Sequence, residues 1–259
     1  MGLRREYRAF NAALRSLYGR EQLTLAEGDR PFDFDDALFD EAAKAVYQNG
    51  GFDVSYLTEP QAQALINETL RVLDTAVGSA LPHEVPDTIR YALENNAFVF
   101  SGFKTFHALR EVGLSMLTEK GDIKPFNDFL TDVRQINAQY NHNYLYAEYN
   151  HALGAAQMAA KWHDFEQDGD RYNLQYRTAG DDKVREEHAI LNGTTLPPSD
   201  PFWDMFLPPN GWNCRCTAVQ VRKNKYPASD PELAMKRGQN CTDGAKKAIF
   251  RYNAGKSLQ

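Results

Sequence analysis

The chain has 259 residues, 42% hydrophobic and 25% charged, an ordinary globular composition able to bury one large core or two modest ones. No window approaches the roughly 18 uninterrupted apolar residues of a membrane-spanning helix. The charged first 20 residues lack the apolar run of a secretory signal. Three cysteines are too few for a disulfide framework, so a reducing compartment is expected. The net charge of −6 is unevenly spread: residues 1–20 carry +4 and residues 215–259 carry +7, which leaves −17 between them. An acidic body with a basic tail points to a polyanionic partner or a solvated end.

Apolar residues at Leu3, Tyr7, Phe10, Leu14 and Leu17 predict a first helix, stopped at Gly19. A second runs from Ala37 to Tyr47 and ends at Asn49-Gly50-Gly51. A third begins near Thr58 with Pro60 in its first turn and reaches about Val77. After a linker through Pro86, Asp87 caps a fourth, from about Thr88 to Thr118, with a bend expected at Ser101-Gly102. Its apolar stripe is Ile89, Leu93, Ala97, Phe100, Phe103, Phe106, Leu109, Val112 and Met116, and Phe98, Val99 and the stripe's aromatics are expected in a helix core.

The most strongly periodic segment follows. Phe129, Val133, Ile136, Tyr140, Tyr144, Ala147, His151, Ala155, Met158 and Trp162 share one face of a helix that would be about 57 Å long if continuous. Small residues from Ala152 to Ala160 suit its second half to close helix contact. Beyond Gly169 the pattern changes. A strand is expected over Arg171–Arg177, a short helix from Lys183 to Leu191 stopped by Asn192-Gly193, a Pro-rich loop, a strand from Cys214 to Val221, and a helix opening at Asp230-Pro231. The predicted class is α+β: a mainly helical region of long helices over 1–169, then a small α+β module over 170–259 that ends in the basic tail.

Candidate chemistry gathers between Tyr176 and Val221. On a strand Cys214 and Cys216 would face one side and could reach one metal ion, with Cys241 and one of His163 or His188 as the supplementary ligands. Two small buried residues on a strand are the preferred explanation, so the expectation is no metal, with zinc as the alternative. A thiol enzyme using Cys214 or Cys216 with His188 as base is a further reading. Glu148-x-x-His151 has di-iron spacing but occurs once, where that chemistry needs it twice. His142 and His151 are expected to be packed or hydrogen-bonded within the long helix. Arg177, Asp181, Asp182, Arg185, Glu186, Glu187 and Arg215 can form charge-assisted bonds across a strand–helix–strand unit, with Trp203, Phe206 and Trp212 over its apolar face. The signatures of nucleotide-binding loops and of several hydrolase classes are absent.

The order of Arg177-Thr178-Ala179-Gly180-Asp181, Val184-Arg185 with His188, Leu191-Asn192-Gly193, Asp200-Pro201-Phe202-Trp203 and Pro208-Pro209-x-Gly211-x-x-Cys214-Arg215-Cys216 resembles the Mu-F-type phage head morphogenesis, or minor head, proteins. The run from Asn96 to Met116, and then Tyr140-Asn141 and Glu148-Tyr149-Asn150, is similar to the helices that precede that module, so the likeness covers about residues 90–221. Many relatives carry a further Cys-x-x-Cys where this chain has Val184 to His188. The resemblance implies a non-enzymatic virion component made in the host cytoplasm, inside the head near the portal. It would aid assembly and DNA packaging or release. Its partners would be the portal protein and a scaffold or major capsid protein, with no membrane. Arg177, Asp181, Arg185, His188, Gly193, Trp203, Pro209, Cys214, Arg215 and Cys216 are its structural motif. From charge alone, Arg222, Lys223, Lys225, Lys236, Arg237, Lys246 and Lys247 are the candidates to face packaged double-stranded DNA.

Overall fold

The computed structural model describes residues 30–244 and 247–256. The helix expected over 3–18, and Lys246 among the DNA-facing candidates, lie outside the described residues. The fold is α+β, mainly helical at first, with a small antiparallel sheet in the C-terminal part. No described helix is long and apolar enough to cross a membrane.

The described residues pack as two compact units, one of residues 30–75 and 95–149, the other of 76–94, 150–244 and 247–256. Division by packing therefore differs from a cut at Gly169, because residues 76–94 and 150–169 belong with the C-terminal sheet.

In the first unit, helix α1 (Asp36–Gln48) starts where the Asp35 carboxylate accepts from the Ala37 N–H and buries Phe39, Ala42, Ala43 and Val46. Helix α2 (Pro60–Ala80) opens with proline in its first turn, where a missing N–H costs nothing. Helix α3 (Asp87–Ser115) is helical through Ser101-Gly102 without the expected break. Its buried face also departs from the apolar stripe. After Ala97 the inward positions are Ser101, Lys104, Thr105, Ala108 and Val112, while Phe98, Val99 and Phe103 are 51%, 47% and 63% exposed. The expectation of an aromatic core there is corrected: a helix turns at a fixed pitch, so the face set by Leu93, Ala97 and Leu109 carries three polar residues inward. Ser101 bonds the Ala97 carbonyl, and Lys104 pairs with Glu148, their side chains 2% and 1% exposed.

Helix α4 (Phe126–Asn137) and helix α5 (Leu145–Asp168) are joined by a π-helical segment, Ala138–Tyr144. The long helix thus winds on, but loosens where its apolar residues step by four twice, Ile136 to Tyr140 to Tyr144, all three buried. Buried Asn141 donates to Asn137 (2.8 Å), which donates to Asp36 (2.9 Å).

In the second unit, strands β1 (Asn173–Arg177), β2 (Thr195–Leu196) and β3 (Thr217–Val221) form a sheet of order β2-β1-β3. Leu174 faces Leu196, and Tyr176 faces Ala218, in antiparallel register. Between the strands lie the one-turn helices α6 (Glu186–Ala189) and α7 (Phe202–Phe206), with α8 (Pro231–Cys241) following, capped by Asp230. The apolar side of the sheet joins Trp162, Phe165, Phe202, Trp203, Phe206 and Cys241 in one core. A second core sets Val77, Leu81, Val85, Ile89 and Leu93 against Ala155, Ala156 and Ala159 of α5, the close contact its small residues predict.

The segment over 247–256 is not a loose tail. Asn253 donates to the Trp203 carbonyl (3.1 Å), Arg251 binds the Thr242 carbonyl and hydroxyl (2.7 and 2.8 Å), and Lys256 pairs with Asp204. A Cβ at Gly255 would lie 2.3 Å from Trp162, so this close approach requires glycine. Tying these cations to the core corrects the picture of a uniformly free basic end.

Candidate functional site: a histidine–dithiol cluster

Two turns create the site. Asn192-Gly193 ends the α6 region, with Gly193 at φ 83°, and its N–H returns to the Tyr176 carbonyl (2.8 Å). Short α6 is thereby held beside β1 with His188 pointing inward, 4% exposed. The second turn runs from Gly211 to Cys214, closed by the Cys214 N–H on the Gly211 carbonyl (3.2 Å). Asn213 takes φ 54° there, a left-handed backbone that asparagine tolerates better than most side chains. Its side-chain oxygen accepts from Asn150 (3.0 Å).

This turn corrects the expected strand start. β3 begins at Thr217, so Cys214 and Cys216 lie in the approach to the strand rather than on it. They converge nonetheless. The Nδ1 of His188 is 3.4 Å from Cys214 Sγ and 3.6 Å from Cys216 Sγ, and the three donor atoms all fall within 4.8 Å of one another. Cys241 lies buried at the end of α8, and its thiol adds to the field at the imidazole.

Charged residues strap the Cys-Arg-Cys loop from the side of the 178–185 segment. Arg215 makes a forked pair with Asp181 (2.6 and 2.7 Å), and Arg185 donates to the Trp212 carbonyl (2.8 Å). Lys247 pairs with Glu187 (3.0 Å) on α6. The expected charge-assisted knot therefore centres on Asp181, Arg185, Glu187 and Arg215. Arg177 stays outside it, exposed and bonded to Gln175. Trp203 and Phe206 are fully buried in the core, whereas Trp212 packs edge-on to Phe250 and to His151. Pro209 follows a cis peptide bond from Pro208 and lies near Gly154 of α5.

Electrostatics follow from this crowding. Burial opposes a charged His188, but its bond to Cys214 and the fields of the Cys214 and Cys241 thiols outweigh that and raise its pKa to about 9. Hydrogen bonding from Cys216 brings Cys214 down to about 4 against burial, with His188 helping. Cys216 moves up, because it bonds the Cys214 thiolate and burial disfavours a second negative charge. Burial lifts the Tyr176 phenol well above its ordinary value; its hydroxyl donates to Asn210 (2.9 Å). A cleft of about 250 Å³, lined by Ala179, Lys183, Val184, Arg185 and the cluster itself, opens onto the donors. Such an arrangement offers a soft metal ligand set or an ionised thiol beside an imidazole.

Elsewhere the sequence candidates separate. Glu148 is committed to Lys104, and His151 bonds the Tyr252 hydroxyl (3.0 Å), so Glu148-x-x-His151 forms no ligand pair. His142 bonds Asp36 (2.8 Å) of α1 rather than its own helix. Arg222, Lys223 and Lys225 share the exposed turn after β3, and Lys236 and Arg237 are exposed on α8. Sequence reasoning passed over Asn150, Asn210 and Tyr176, whose only signal was their polar character within apolar runs. Cys241 was noted only as a possible supplementary ligand.

Long helices lead into a three-stranded module closed by a Cys-Arg-Cys turn around a histidine. Residues 123–219 match the family described as Phage Mu protein F like protein. The Mu-like prophage FluMu F protein of Haemophilus influenzae is 31% identical over 169 residues, 61% of this chain and 39% of that protein. The putative capsid assembly protein F of Escherichia phage Mu is 48% identical over 42 residues, 16% of this chain and 10% of that protein. The chain thus spans about two fifths or less of the length of these curated relatives. No solved structure gives a significant match.

Proposed function

We propose that this chain works in phage head morphogenesis as a minor head protein with a structural, non-enzymatic role. The observation that carries this reading is the Mu F-like match across 123–219, which spans the long helix, the sheet and the Cys-Arg-Cys turn. A relative matched over 42 residues is described as a putative capsid assembly protein. On this reading the protein is made in the host cytoplasm and ends inside the capsid near the portal. The portal protein and a scaffold or major capsid protein are its partners.

Packaged double-stranded DNA is the proposed polyanion for Arg222, Lys223, Lys225, Lys236 and Arg237, which are exposed. Lys247 is a weaker candidate, being paired with Glu187. Contacts of this kind are phosphate-driven and weaken steeply with salt. The role is tested by producing particles without the protein: defective head assembly, packaging or ejection is expected, and normal particles that infect normally would overturn it. Co-purification of the full chain with portal, scaffold or major capsid protein identifies which partner it meets.

A further inference from the structure

We propose that His188, Cys214 and Cys216 bind one zinc ion, with a fourth coordination position open to the cleft beside them. Bond lengths of about 2.3 Å for zinc–sulfur and about 2.0–2.1 Å for zinc–nitrogen, at a tetrahedral angle, set sulfur and nitrogen about 3.6 Å apart. The two Sγ–Nδ1 separations here are 3.4 and 3.6 Å. Both thiols address the same ring nitrogen, which cannot donate one proton fully to two sulfurs, but an ion between the three donors engages all of them at once. Two thiolates and a neutral imidazole also balance a divalent cation, so the loaded site carries no net charge in its half-buried position. Soft sulfur with imidazole selects zinc over magnesium or calcium.

The surroundings hold the donors in place before any ion arrives. Asn213 fixes the turn in its left-handed conformation and is itself held by Asn150. Arg215 is clamped to Asp181, and Arg185 holds the Trp212 carbonyl, so the loop is restrained on both sides of Cys214. Cys241, buried at the end of α8, is not among the donors that share the 4.8 Å cluster. The fourth ligand is then solvent from the cleft lined by Lys183, Val184 and Arg185.

The test uses the full chain, reduced, stripped with chelator and titrated with Co²⁺, then with Zn²⁺. Expected are about one Co²⁺ per chain, the intense visible bands of a tetrahedral site, sulfur-to-cobalt charge transfer of two thiolates, and displacement by zinc. Cys214→Ser and Cys216→Ser each lose one thiolate's charge transfer and weaken binding at least tenfold. Cys241→Ala keeps both bands. A folded wild type that gives only the pale spectrum of hydrated Co²⁺, with no charge transfer, overturns the proposal even if the variants fail to fold. Loss of a third thiolate's intensity in Cys241→Ala would overturn the open fourth position.

Discussion

Each compact unit keeps a polar cluster away from water, and the two are finished differently. In the first unit Lys104 meets Glu148, one cation against one anion, with both side chains nearly inaccessible. Burial depresses the Lys104 pKa, and Glu148 opposes that shift by stabilising the ammonium. In the second unit two thiols and an imidazole converge beside a cleft, and no carboxylate belongs to the group. A closed pair has nothing left to bind, while a set of converging soft donors is built to receive something. Charge balance distinguishes a polar cluster that is structure from one that is a site.

The sharpest way to break this comparison is to open the closed pair. Lys104→Met removes the buried cation that faces Glu148, and Glu148→Gln removes the anion that faces Lys104; each is expected to cost about 3–5 kcal/mol. The double variant Lys104→Met/Glu148→Gln removes both charges and should recover most of that loss. Denaturant unfolding of all four proteins reads the result as a mutant cycle. Equal, additive losses would show that the pair is not the self-contained unit described.

The receptive cluster predicts the opposite behaviour. Without metal, Cys214→Ser should cost less than opening the closed pair, since both cysteines are only partly buried. With zinc at about a thousand times its dissociation constant, wild type should gain about 4 kcal/mol over its stripped form. Cys214→Ser should lose that gain, and thermal unfolding with and without chelator measures it. A wild type indifferent to zinc would place the cluster with the closed pair.

How far this contrast was readable from sequence differs between the units. The stripe from Phe129 to Trp162 gave the long helix because its inward positions are apolar throughout, and the π-helical segment left only a spacing of fours as its trace. Helix α3 was readable to Ala97 and again at Leu109, Val112 and Met116, but not between them. From there Ser101, Lys104 and Thr105 face inward, and only their contacts reveal why a lysine sits among them. Arg215 and Asp181 were recognisable as partners, but the turn at Asn213 was hidden, because Thr and Val after Cys216 extend a strand pattern backwards. Two-residue β2 was too short for any periodicity, and α7 looked like part of a Pro-rich loop. Cys241 meets His188 only because α8 packs against α6, a tertiary fact with no sequence spacing.

The Asn213 turn offers a smaller test on the site's side. A left-handed backbone costs most side chains about 1–2 kcal/mol, which asparagine partly escapes and glycine avoids. Asn213→Ala should therefore destabilise by about 1–2 kcal/mol and weaken metal binding, having lost both the conformational tolerance and the bond from Asn150. Asn213→Gly loses the bond alone and should do less. If alanine and glycine behave alike, the bond from Asn150, not the backbone, sets the loop.

The smallest effect belongs to His107, which lies one helical turn from the closed pair on α3. Burial lowers its pKa, and the nearby Arg110 guanidinium adds to the shift. A lowered folded-state value means that the unfolded chain binds the proton first. The stability tied to neutral His107 is therefore complete above about pH 6.5 and lost as the pH falls from there through the lowered value. His107→Gln cannot titrate, so the gap in unfolding free energy between wild type and variant should narrow below pH 6.5 and hold steady above it. A gap that instead widened on acidification would mean that protonated His107 finds an anion in the folded protein, and that the first unit's polar interior is less complete than the Lys104–Glu148 pair implies.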